Sequence, residues 1–196
     1  MDAIKLLYER NSAAKLCDPA PSGEVLTTIL KAGLRAPDHA RLTPWRFLTI
    51  EGSAREQLGQ LFAESAQALA ASSGLATPTE SELGRLSRKP LRAPLIIVVI
   101  AAVKDHPKVP PLEQVLSAGC AAHAILLAAH ALGYAGIWRT GSNAYDKRVM
   151  DGLGLSRSDV IVGFIYMGTK EGRAKSLPEL SIDDYHQTWA AISEVE

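Results

Sequence analysis

Residues 93–103 read APLIIVVIAAV, a run of branched and apolar side chains without a polar break, and this run restricts the fold more than any other segment. A strand that is apolar on both faces must be covered on both, so it belongs at the centre of a sheet with packed layers above and below. The rest of the chain has to supply those layers. Asp2 can cap a first helix through about Arg10 with Ile4, Leu7 and Tyr8 as its stripe, and Gly23 to Leu34 places Val25, Leu26, Ile29, Leu30 and Gly33 on one face before Pro37 forbids continuation. Trp45 to Glu51 alternates as a strand, and Ala54 to about Ser72 is a long helix with Leu58, Leu61, Phe62, Ser65 and Leu69 on one side.

From Ser73 to Pro90 the composition turns to Ser, Thr, Gly and charge, which predicts a mobile excursion with one helix over Thr79 to Leu86. A long small-residue helix follows from about Leu112 to Leu132, ended by Gly133. YAGIWRT then reads as a strand, Tyr145 to Leu153 as a helix closed by Gly154, and DVIVGFIYMGT as a last strand; the tail from Lys170 is polar and weakly patterned. Helices and strands alternate irregularly, which predicts a layered α+β arrangement, and 196 residues suit one compact domain spanning 1–196. The Ala- and Gly-rich helix suits close contact with a sheet or with a second copy of itself.

Lys plus Arg equals Asp plus Glu at 21 each, and no basic run with interleaved aromatics occurs, so nucleic acid is not an expected partner and small molecules are. The apolar run Leu116 to Leu132 is short of a membrane span and contains Ser117, Gly119, His123 and His130, so we read it as a helix buried in the protein. The N-terminus, with Asp2 and Glu9, does not read as a signal peptide. Cys17 and Cys120 form no CxxC pair, and a reducing cytoplasm fits best.

Templates for a protein-borne nucleophile are absent: there is no GxSxG, HExxH or Walker sequence. GLGLSR at Gly152 to Arg157 follows a helix and reads as capping glycines. Cys120, His123 and His130 share a helical stripe, but the two histidines stand about 10 Å apart along the axis, so packing is the better account and no metal is expected. What remains is cationic. Arg10, Asn11 and Ser12 follow the first helix, Arg35 and His39 lie in the loop RAPDHARLTPW, and Arg139 with Thr140 follows GIW. Arginines at element ends can surround a phosphate through paired charge-assisted bonds, with Ser12 or Thr140 adding hydroxyls. Composition and spacing reach as far as an anion-binding α+β protein.

At these residues the sequence resembles the FMN-dependent nitroreductase family, and most closely its compact single-domain NAD(P)H nitroreductases. The carrying segments are ERNSAAKL at Glu9 to Leu16, AGLRAPDHARLTPWRFLTIEG at Ala32 to Gly52, RAPLIIVVIA at Arg92 to Ala101, KVPPLEQVLSAGCAAHAILLAAHALGYAGIWRTG at Lys108 to Gly141, and IVGFIYMGT at Ile161 to Thr169. The resemblance implies a nitroreductase-like α+β fold, a central, mainly antiparallel sheet flanked by helices, assembled as a homodimer with FMN in two clefts between subunits. It implies that Arg10, Asn11 and Ser12 form a first FMN segment, with Arg10 at the phosphate. Arg35 and His39 would form a second, reaching across the interface, and Trp138, Arg139 and Thr140 a third near the isoalloxazine edge and phosphate. Ala128, Ala129, His130, Ala131, Leu132 and Gly133 align with a segment proposed to contact NAD(P). The implied activity is oxidation of NAD(P)H and reduction of a nitroaromatic, quinone or related small acceptor in ping-pong fashion, with the flavin and no catalytic side chain carrying the hydride. A specialised flavin dehydrogenase or dehalogenase on the same fold and a flavin-binding protein without turnover are the alternatives. Two departures from relatives stand out: Asn11 where a second arginine is common, and Thr43 where QPW supplies a glutamine.

Overall fold

In the computed structural model, which describes residues 2–173 and 176–189, the run at 93–103 is the central strand of a five-stranded sheet. Strand β3 (Leu95–Ala102) pairs antiparallel with β2 (Trp45–Glu51) on one side and with β5 (Asp159–Lys170) on the other. Its side chains alternate between two cores. Ile96, Val98 and Ile100 enter one with Leu58, Phe62 and Phe164, while Leu95, Ile97 and Val99 enter the other with Ile29, Ile125 and Ile165. Strand β5 also carries β1 (Leu16–Cys17) and β4 (Ala135–Arg139), both antiparallel, so five strands share one sheet.

Each face has its own helical layer. The helices α2 (Gly23–Gly33) and α5 (Pro111–Ala131) cover one face. The opposite core is built with α3 (Ala54–Ser73) and α6 (Lys147–Gly152), and α4 (Glu80–Ser87) packs on α3. Small side chains let α5 approach the sheet closely: Ala118, Ala121, Ala122 and Ala129 are fully buried.

Three expectations need correcting, and one short strand was not foreseen. The helix α1 (Ala3–Glu9) forms on its Asp2 cap, but its stripe faces outward, with Ile4, Leu7 and Tyr8 exposed. The segment after it contains the short strand β1. The excursion expected at 73–90 is built into the fold: α4 starts on a reciprocal capping box in which the Thr79 hydroxyl accepts from Glu82 N–H and the Glu82 carboxylate accepts from Thr79 N–H at 2.8 Å. Those bonds from Thr79 hold the Glu82 carboxyl below its ordinary pKa. Finally, α5 is apolar and long enough for a membrane span by composition alone, yet it is a core helix with one buried and one open face. Leu112, Leu116, Cys120 and His123 are exposed along that open face.

Candidate functional site

The first candidate segment is drawn against β4 by backbone pairing. Ser12 forms a parallel bridge with Gly136, and the Ala13 N–H donates to the Gly136 carbonyl at 3.2 Å. Arg10 sits at the C-terminus of α1, its N–H donating to Leu6 C=O, and the Asn11 side-chain oxygen accepts from Ser12 N–H at 2.8 Å. Asn11 and Ser12 line a cavity of about 580 Å³ whose other polar walls are Lys15, His130, Lys170 and Arg173, with the acids Glu9 and Glu171. The sequence reading missed Lys170 and Arg173, which arrive from the far end of β5.

The third segment divides across the sheet because it is a strand. Trp138 points toward α5, and its Nε1–H donates to the Val162 carbonyl of β5 at 3.2 Å, whereas Arg139 points to the other face, its guanidinium carbon 5.8 Å from the centre of the Tyr166 ring. The Arg139 Nε is buried and is the one such side-chain polar atom without a hydrogen-bond partner among the described residues. Lys89 and Arg92, in the turn Lys89–Arg92 after α4, are its electrostatic company. Burial lowers the Lys89 pKa first, and Arg85, Arg92 and Arg139 lower it further, all of them cations. Burial raises the Tyr166 pKa, with Arg139 and then Arg92 opposing. Cations held against one another with an unsatisfied buried donor among them make a place where an anion would be stabilised. Thr140 follows the strand and is exposed.

The second segment lies elsewhere. Arg35 lines a further cavity, about 670 Å³, with Pro37, Leu116, Cys120, His123 and Trp138, so Arg35 and Trp138 come together on the α5 face. His39 stands at the N-terminal end of α5, its Nδ1 2.7 Å from the Glu113 carboxylate. The loop around it is held at several points. The Asp38 carboxylate accepts from Leu42 N–H at 3.2 Å and Thr43 N–H at 2.7 Å, the Lys104 ammonium donates to the Leu42 carbonyl, and the Ser117 hydroxyl donates to the Pro37 carbonyl. Three residues without glycine's freedom adopt left-handed backbone there: Ala40, Arg41 and Thr43 at φ 61°, 55° and 47°. Such conformations cost on the order of 1–3 kcal/mol each and persist where surrounding contacts impose them.

Apart from Arg35 and Trp138, the second segment does not meet the others within one chain. His39 meets Glu113 in the first turn of α5, while Ser12 shares its cavity with His130 in the last turn, and 17 residues of helix at about 1.5 Å each separate the two by roughly 25 Å. Of the segment 128–133, Ala129 is fully buried, His130 opens on the first cavity, and Ala131, Leu132 and Gly133 are exposed. Cys120 and His123 line the second cavity and His130 the first, and no metal-holding group of three His, Cys, Asp or Glu occurs among the described residues. The donor set fits a ligand that is anionic in one part and rich in hydrogen-bonding groups in another. The fit rests on the Arg139 Nε without a partner and the positive charge around it, and on the amide and hydroxyl of Asn11 and Ser12.

Comparison with known proteins agrees with this reading of the fold. Residues 7–169 match the sequence profile described as the Nitroreductase family. Over 176 residues the chain is 43% identical to the "Putative NAD(P)H nitroreductase YdjA" of Escherichia coli strain K12, covering 90% of this chain and 92% of that protein. Among solved structures, a nitroreductase-like family protein from Bacillus cereus superposes with a TM-score of 0.80 at 22% identity, covering 96% of both chains. An FMN-dependent nitroreductase from Clostridium difficile R20291 superposes with a TM-score of 0.67 at 26% identity, over 94% of this chain and 98% of that one.

Proposed function

The chain belongs to the nitroreductase family, and from that premise we propose that it is an FMN-dependent NAD(P)H oxidoreductase acting on nitroaromatic, quinone or related small acceptors, with each flavin site shared between two copies of the chain. The observation that carries the proposal is the buried, unpartnered Arg139 Nε with Lys89 and Arg92 near it, on the strand β4 that also pairs with the Asn11–Ser12 segment. Bound FMN would supply the hydride chemistry between NAD(P)H and the acceptor.

The residues of this chain do the rest. Arg139, with Lys89 and Arg92 beside it, offers fixed positive charge to the anionic and electron-rich parts of the cofactor. Arg10, Asn11 and Ser12 supply a cation, an amide and a hydroxyl from one short loop, and Trp138 and Thr140 frame the strand that carries Arg139. His130 and the exposed end of α5 at Ala131–Gly133 give the nicotinamide nucleotide a place to approach, with Ala128 and Ala129 serving as helix packing. Arg35 and His39 serve the site of the partner copy. The roughly 25 Å of helix between Glu113, which His39 meets, and His130, which shares a cavity with Ser12, supports that division for His39, as does the exposed face of α5 through Leu112 and Leu116, an apolar surface suited to a second copy.

Subunit mixing tests the shared site. Arg139→Ala and His39→Ala homodimers each carry two damaged sites, but a mixed dimer rebuilds one intact site. Equal mixing with exchange is therefore expected to restore FMN retention and NADPH or NADH oxidation in about a quarter of all sites. Exchange that is complete by native mass spectrometry yet restores neither would contradict the assignment.

A further inference from the structure

We infer that Glu113 is a positioning residue that orients the imidazole of His39, engaging Nδ1 and leaving Nε2 for the cofactor. The inference rests on the reading of His39 as a cofactor contact. The Glu113 carboxylate lies 2.7 Å from His39 Nδ1, a distance that requires a proton between them, and an ionised carboxylate can only accept. Nδ1 therefore carries the hydrogen. Nε2 has no partner among the described residues, so it is the ring nitrogen left for a ligand.

The backbone around the ring is built to hold this arrangement. Glu113 and Ser117, one helical turn apart on α5, both engage the loop: Glu113 holds the His39 side chain and the Ser117 hydroxyl donates to Pro37 C=O. Lys104 holds the far side at Leu42 C=O, and its own backbone is clamped by the buried Gln114, which accepts from Lys104 N–H at 2.9 Å and donates to Lys104 C=O at 2.8 Å. Residues 113, 114 and 117 thus form a template on α5 against which the imidazole is set.

The test is a double-mutant cycle on FMN and riboflavin dissociation constants, read by quenching of flavin fluorescence. Glu113→Ala is expected to weaken both flavins about tenfold, the scale of a lost hydrogen bond to a charged group. Glu113→Gln keeps an oxygen that accepts from Nδ1–H and is expected to stay within about threefold of the unmodified protein. Adding Glu113→Ala to His39→Ala is expected to cost nothing further, whereas a merely structural role for Glu113 would give additive losses. An exposed helical position accepts alanine readily, so the unfolding temperature of the flavin-free protein should not fall. Equal losses in the Gln and Ala variants would overturn the inference, because the oxygen facing Nδ1 would then be irrelevant. If His39→Ala weakens flavin and Glu113→Ala does not, the inference alone fails. If His39→Ala leaves both constants unchanged, the reading of His39 fails with it.

Discussion

Replacing Arg139 by alanine is expected to weaken FMN binding by about a hundredfold or more, the loss of a charge-assisted pair of hydrogen bonds from a partly desolvated site. The flavin-free protein should lose little stability in the same experiment. Arg139 has a buried Nε without a partner and sits among Lys89 and Arg92, so its favourable contact with the Tyr166 ring is opposed by desolvation and by like charge. An arginine that contributes little to the empty fold but is held in place by a strand and an aromatic ring is arranged for a ligand. Calorimetric titration with FMN and thermal unfolding without it separate the two effects. Unchanged affinity, or a large fall in the unfolding temperature of the flavin-free variant with affinity intact, would make Arg139 a structural residue and remove the centre of the site. Lysine should not rescue the loss, because an ammonium neither stacks on Tyr166 as a plane nor donates in a fork.

Gly163→Ala should be the most damaging conservative change near the site. Strand β5 shifts register against β3 here: Gly163 opposes Val99 while Ile161 opposes Ile100. The Trp138 indole lies over the gap where a side chain at 163 would stand. A β-carbon on Gly163 would fall 2.0 Å from Trp138 Nε1, 2.6 Å from its Cδ1 and 3.1 Å from the Arg139 carbonyl. The ring cannot yield without giving up its bond to Val162 C=O and displacing the strand that carries Arg139. Overpacking of this kind costs about 3 kcal/mol, or roughly 6–12 °C of unfolding temperature for a chain of this size. FMN affinity should fall with it, because the displaced backbone belongs to Arg139. An alanine variant that unfolded at the original temperature and kept its flavin would show that β4 can shift freely, contrary to the packing described.

The parts of the fold that could be read from the sequence are those fixed by local pattern. The apolar run at 93–103 announced a strand covered on both faces, and alternation alone delimited β2 at Trp45–Glu51. Strand β1 could not be read in this way: Leu16 and Cys17 are a strand only because Lys170 and Thr169, more than 150 residues away, pair with them. The capping box at Thr79 and Glu82 was legible as a T-x-x-E signature, but the surrounding polar composition obscured it. At the site, the sequence pointed to the loop after α1, the proline loop and the strand GIWRT. It did not reveal that Trp138 and Arg139 serve opposite faces, although strand alternation implied it. Lys89 and Arg92 join Arg139 only through the fold, so no spacing rule could have found them. Glu113 was likewise visible only as one acid in a helix that is otherwise small and apolar.

A flavin oxidoreductase differs from an anion-binding scaffold of the same shape in what a nicotinamide donor does to its bound flavin. Anaerobic titration of the FMN-loaded protein with NADH and with NADPH, followed by absorbance near about 450 nm, addresses that directly. The band is expected to bleach with at least one donor and to return when a nitroaromatic or quinone is added. Protein that cannot be loaded with FMN, or bound flavin that keeps its colour with both donors, would contradict the oxidoreductase assignment.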